Sequence, residues 1–196
     1  MSELFSIQLQ NRQQQGRDGV WLDLPTTTEQ VQAALRQIGI SSDNPQGLFI
    51  SGYFAEEEKR FAIPYNLVLA SNVDELNFLA ARLETLSAGE RAELNAALQA
   101  PQSELFSIGR ITDFPENVDY YVHLPDVHGP AQLGDYYLNR SGMVDMPDEW
   151  KGGIDTAQFG RYVAQQEQGV FTEYGYLVKS GDAWQKVHEG QPVPEE

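Results

Sequence analysis

Apolar stripes in this chain are all short. Its longest apolar stretches are of the order of Leu67-Val-Leu-Ala70, and each amphipathic pattern lasts one strand or one helix before a Gly, a Pro or a polar turn interrupts it. Such a pattern does not build one continuous central sheet. It predicts an α+β molecule of three small units in a row with no single shared core. At 196 residues the chain is long enough for that, and 41% hydrophobic with 11% aromatic residues is too rich for a disordered acidic tail.

The first unit, residues 1–62, reads as an N-terminal antiparallel sheet with one helix. Leu4, Phe5, Ile7 and Leu9 alternate, Val20–Leu24 gives a second strand, and the Gln- and Gly-bearing segment between them predicts a hairpin. Pro25 ends the second strand, and Thr26–Thr28 with Glu29 and Gln30 offers capping chemistry for a helix that Gly39 stops. Gly47–Phe54 is a third strand. The helical middle, residues 63–112, contains a helix capped by Ser71 or Asn72 with Val73, Leu76, Leu79, Ala80 and Leu83 on one face. Ser87 and Glu90 predict a capping box for the next helix, which ends at Pro101. The third unit, residues 113–196, is an acidic mixed helix/strand unit. It has a strand at Tyr120–Leu124, helices near Ala131–Asn139 and Asp155–Gln166, a strand at Val170–Val178 and a frayed tail from Gly190. Ser-Glu-Leu-Phe-Ser-Ile occurs at Ser2–Ile7 and at Ser103–Ile108; context makes the first a strand and the second a short helix, and the match does not extend into a repeat.

Charge narrows the function. Thirteen Lys and Arg against 29 Asp and Glu leave a net −16, which repels nucleic acid and anionic membrane alike. Direct nucleic-acid binding and membrane association are therefore not expected. The absence of Cys removes disulfides, thiolate catalysis and Cys-ligated zinc. The N-terminal residues lack the basic-then-apolar pattern of a signal peptide, so a cytoplasmic location is expected.

The usual signatures of chemistry are missing. There is no Gly-x-Ser-x-Gly elbow and no Walker-type phosphate loop. His123 and His128 flank Pro125 and Asp126, a spacing that does not place two imidazoles on one helix face, and they read as a strand and a loop histidine. No catalytic residue, cofactor or metal is therefore expected. Glu56-Glu-Glu58 beside Lys59-Arg60 reads as a solvated loop, and Tyr120, Tyr121, Tyr136, Tyr137, Tyr174 and Tyr176 as aromatic packing.

One stretch of the chain is especially acidic. Asp113, Glu116, Asp119, Asp126, Asp135, Asp145, Asp148, Glu149 and Asp155 face only Arg140 and Lys151 between residues 113 and 155, and Glu173 follows. Carboxylates three or four apart on a helix stand about 5–6 Å apart, a spacing comparable to neighbouring phosphates. Duplex DNA carries about one charge per 1.7 Å of axis. The net charge of −16 thus matches roughly 27 Å of duplex, and two copies about 54 Å.

The residues also carry a resemblance. Gly19-Val-Trp-Leu-Asp-Leu-Pro25 with Glu29, Ala34-Leu35 and Ile38-Gly-Ile40 resembles the N-terminal block of ArdA-type antirestriction proteins, and Val73–Ala80 with Leu83–Leu86 their helical block. Leu133-Gly-Asp-Tyr-Tyr137, Pro147, Ile154-Asp155, Phe159-Gly-Arg161 and Thr172–Leu177 resemble their C-terminal blocks, in the same order, over roughly residues 1–180. The resemblance implies an elongated α+β molecule, a chain of three small units, that is a non-enzymatic, usually dimeric DNA mimic, occupies the DNA-binding groove of type I restriction–modification enzymes and travels on mobile elements. The ten acids named above would then be its partner-binding, phosphate-imitating residues. Where the family tends to place acids this chain has Asn139-Arg-Ser141, Lys151-Gly-Gly153, Gln165-Gln166 and the loop His123–Pro130, so a patchier acidic surface is expected. The alternative function is a generic acidic interaction module for another basic or DNA-binding protein.

Overall fold

A computed structural model describes residues 4–14, 18–41, 46–56, 61–101 and 103–188. In chain order the first half contains β1 (Phe5–Asn11), β2 (Val20–Leu24), α1 (Thr28–Gln37), β3 (Leu48–Phe54), α2 (Tyr65–Ala70), α3 (Val73–Glu84) and α4 (Ala88–Gln99). The second half contains α5 (Ile108–Thr112), β4 (Tyr121–Leu124), α6 (Pro130–Asp135), α7 (Asp148–Lys151), α8 (Thr156–Glu167), β5 (Val170–Thr172) and β6 (Gly175–Lys179). The molecule is α+β, with two antiparallel three-stranded sheets ordered β2-β1-β3 and β4-β6-β5. The chain packs into two compact units, Met1–Ser87 with Leu105–Glu116 and Lys186–Glu196, and Ala88–Glu104 with Asn117–Gln185.

In the first unit β1 lies between β2 and β3, with Ile7 opposite both Leu22 and Tyr53. Alternation puts Phe5, Ile7, Leu9, Leu22, Leu24 and Ile50 on the inner face, all buried. Opposite the Gln8–Leu9 step β3 carries one extra residue, Ser51, a bulge that brings Ile50 against Leu9 while Tyr53 stays opposite Ile7. Helix α1 begins at Thr27, whose hydroxyl accepts from the Gln30 amide while the Gln30 side chain returns to the Thr27 amide. It stops at Ile38 and Gly39, the latter at φ +69, where a side chain is strained. Helix α3 is capped by Asn72, and its buried face is Val73, Leu76, Leu79, Ala80 and Leu83. Asn77 on the same helix fixes the β2–α1 junction, accepting from the Thr26 amide at 2.7 Å and donating to its carbonyl at 3.0 Å. Removing either bond would leave a backbone group unpaired at a cost of about 1–3 kcal/mol.

In the second unit β6 is central, with Val122 of β4 opposite Val178 and Phe171 of β5 opposite Tyr176. Helix α4 packs on β4 and β6. The core is Val127, Leu133 and Tyr176, with Tyr136, Tyr137, Val163 and Phe171 around it. Helices α6 and α8 approach so closely that their backbones touch: a Cβ on Gly134 would fall 1.9 Å from the Thr156 carbonyl oxygen, and one on Gly160 1.8 Å from that of Pro130.

Three local expectations change. The single strand expected at Val170–Val178 is a hairpin, because the chain reverses at Glu173-Tyr174 and Gly175 takes φ +121. The helix expected near Ala131–Asn139 begins as α6 and ends in one π-helical turn, Tyr136–Arg140, with the Ser141 amide bonding the Tyr136 carbonyl at 2.8 Å. The second Ser-Glu-Leu-Phe-Ser-Ile is not itself a helix; its Ser107 caps α5, accepting from the Arg110 amide. Helices α2, α3 and α5 of the segment read as a helical middle lie in the first unit, and α4 in the second. The solvated-loop reading at Glu57–Arg60 and the frayed tail from Gly190 lie outside the described residues.

Candidate functional site

Of the ten acids singled out in the sequence, Asp113 and Glu116 lie in the first unit and the other eight in the second. Asp113 is fully buried. Its Oδ1 accepts from the His188 amide at 2.7 Å and contacts His188 Nδ1 at 2.8 Å, while the His188 ring meets Phe78 edge-on. It therefore presents no surface charge. Glu116 is exposed and pairs with Arg82.

The remaining acids sit at element ends and in loops of the second unit. Asp119, Asp126, Asp145, Asp148, Glu149, Asp155 and Glu173 are exposed, and Asp135 is half-buried. Several also do local work. Asp155 caps α8 through the Gln158 amide at 3.0 Å. Asp135 takes a hydrogen bond from Asn139 at 2.9 Å and pairs with Arg140 at 3.4 Å. Asp148 pairs with Lys151 at 2.9 Å, and Glu173 is held by the Gln99 side chain. Exposed pairs of this kind contribute about 0–1 kcal/mol each, so they orient carboxylates more than they stabilise the fold.

A part-buried polar cluster brings two of the packing tyrosines onto Glu167, a residue that nothing in the sequence marks. Tyr137 and Tyr176 donate to the two oxygens of the Glu167 carboxylate, Tyr176 at 3.0 Å. Burial, followed by the adjacent carboxylate, pushes both phenols above their ordinary range. They stay neutral donors and tie the π turn, α8 and β6 together. Gly169 is the detectable signal in retrospect, since a Cβ there would meet the Tyr176 hydroxyl at 1.9 Å.

Acid also accumulates around α4. Glu93 Oε1 is buried with no hydrogen-bond partner among the described residues. Burial, then Glu90 and Asp119, raise its carboxyl to about 8. His123 Nε2 meets the Tyr174 carbonyl at 2.8 Å, and His128 is exposed in the loop before α6. Among the described residues no group of three or more His, Asp or Glu could hold a metal ion, and no helix is long and apolar enough to cross a membrane.

Fold and charge together define an acidic α+β protein of two small sheets with covering helices, with a set of exposed carboxylates on the second unit. A family model, Antirestriction protein (ArdA), matches residues 15–178, and the chain belongs to that family of antirestriction proteins. No curated protein matches the chain.

Proposed function

We propose that this antirestriction protein acts by occupancy rather than turnover. It imitates DNA and fills the basic DNA-binding groove of a type I restriction–modification enzyme, at its methyltransferase/specificity core. The observation that carries this reading is the set of seven exposed carboxylates in the second unit, Asp119, Asp126, Asp145, Asp148, Glu149, Asp155 and Glu173, in a chain that belongs to the ArdA family. Carboxylates held on helix caps and short turns stand in for phosphates. They steer the protein to a positive groove and then form many weak ion pairs. In the first unit Glu116 is exposed and buried Asp113 is not available; in the second, Asp135, half-buried and paired, contributes partially.

The same reading places the protein in the cytoplasm with the restriction complex, as a homodimer, and on a mobile element. Two copies match about 54 Å of duplex charge, a length suited to a large bipartite groove. The test is displacement: purified protein is titrated into a complex of DNA with a type I methyltransferase core, and DNA release is followed. Stoichiometric release at low salt, without release from an unrelated DNA-binding enzyme, is expected. Equal release from both enzymes turns the reading into that of a generic acidic module, and no release from either rejects it.

A further inference from the structure

The three tryptophans of this chain have different fates. Trp184 is half-buried and packs edge-on against Tyr120 at 5.1 Å. Trp21 leaves half of its surface exposed but lies across its sheet, its ring 3.0 Å from where a Cβ on Gly52 would stand. Trp150 leaves 68% of its surface in water. Its backbone is nevertheless fixed, with its amide bonded to the Pro147 carbonyl at 2.9 Å and its carbonyl accepting from Gly153 at 3.1 Å. Its neighbours in the chain are charged: Asp145, Asp148 and Glu149 are exposed, and Lys151 is turned onto Asp148.

A solvated indole on a hydrogen-bonded turn contributes little to folding. Tryptophan is enriched among the few residues that dominate binding interfaces, and a cation over its ring gains most when the site is desolvated. The flanking carboxylates select what can approach: they repel acidic surfaces and draw guanidinium and ammonium groups toward the ring. From this geometry we infer that Trp150 is an anchor that receives an Arg or Lys side chain of the partner's basic, DNA-reading groove. It adds a short-range, weakly screened cation–π component to a contact otherwise made of ion pairs. The inference rests on the groove-occupancy reading above and adds to it a contact that phosphate imitation does not supply.

The experiment measures binding of the full-length protein to a type I methyltransferase core across a salt titration. Wild type is compared with Trp150→Ala, Trp150→Phe and the double variant Asp148→Asn/Glu149→Gln; circular dichroism confirms the fold of each, and sedimentation its oligomeric state. Trp150→Ala is expected to weaken binding about tenfold at every salt concentration with the salt slope unchanged. Trp150→Phe should retain most of the affinity, since a ring face remains, and the double variant should flatten the slope. An affinity for Trp150→Ala within twofold of wild type overturns the anchor while leaving groove occupancy standing. A changed oligomeric state assigns the indole to a contact between two copies and also overturns it. Wild-type protein that does not bind rejects both the groove reading and the anchor.

Discussion

Glu167 shows how one half-buried carboxylate can organise its surroundings. Two phenols, Tyr137 and Tyr176, occupy its two oxygens, and Tyr176 is completely buried. A hydrogen bond to a charged group contributes about 1.5–3 kcal/mol. Tyr176→Phe, which removes the hydroxyl and little volume, should lower unfolding stability by that amount. Equilibrium urea denaturation checks it, and a loss under about 0.5 kcal/mol would mean that water replaces the phenol. Glu93 makes the opposite kind of prediction. Its carboxyl is raised to about 8 in the folded protein, above an unfolded value near 4.3. The folded state then holds the proton more tightly, so the contribution is complete below pH of about 4 and is lost as pH rises toward 8. Glu93→Gln should therefore raise the thermal midpoint at pH 8.5 relative to wild type and change it little at pH 4. An equal shift at both pH values would show that packing, not the proton, is responsible. Neither residue stands out in the sequence, because a glutamate on a helix, whether mid-helix in α4 or at the end of α8, reads as solvated until the elements packed against it are known.

At the scale of elements, local chemistry was legible and long-range pairing was not. The capping residues Thr27, Gln30 and Asn72, the stop at Gly39 and the β1–β2 hairpin follow from nearest neighbours, and the structure has each of them. Val170–Val178 looked like one strand because Val, Phe, Tyr, Leu and Val run through it; only Gly175 marks the reversal. Partition of α3 and α4 between two units depends on which sheet each apolar face meets, information absent from either helix alone. The acids were legible as a set, yet burial of Asp113 follows from a partner 75 residues away. Glycine gives the sharpest element-level test. Gly160→Ala drives a methyl into the Pro130 carbonyl, so α6 and α8 must separate, at a cost of at least about 1–3 kcal/mol. Gly89→Ala in α4 meets nothing within 4 Å and should instead stabilise by about 0.4–1 kcal/mol. Thermal unfolding of the two variants side by side checks both signs, and a neutral Gly160→Ala would reject the backbone contact.

For the whole molecule, what matters is how the charge is distributed. Residues of the second unit carry 13 acids and 5 bases, a net of −8 within the total of −16, so charge is shared between the units rather than confined to one. If inhibition depends on imitating a phosphate track, each exposed carboxylate contributes a small and roughly additive amount, typically about 0.2–1 kcal/mol. Asp126→Asn alone should then raise the inhibitory concentration by less than about fivefold. Neutralising Asp145, Asp148, Glu149 and Asp155 stepwise should weaken inhibition progressively, with Asp155→Asn also read for fold because that side chain caps α8. The steps should shrink as salt rises, because exposed charges are screened over about 8 Å at physiological ionic strength. A catalytic or metal-dependent device behaves differently: one isosteric change abolishes activity, and further changes add nothing. Inhibition of a type I enzyme by the single, double, triple and quadruple variants, at two salt concentrations, separates these outcomes. Complete loss from a single folded Asp→Asn or Glu→Gln variant would reject mimicry, and a graded series that flattens in salt is the expected result.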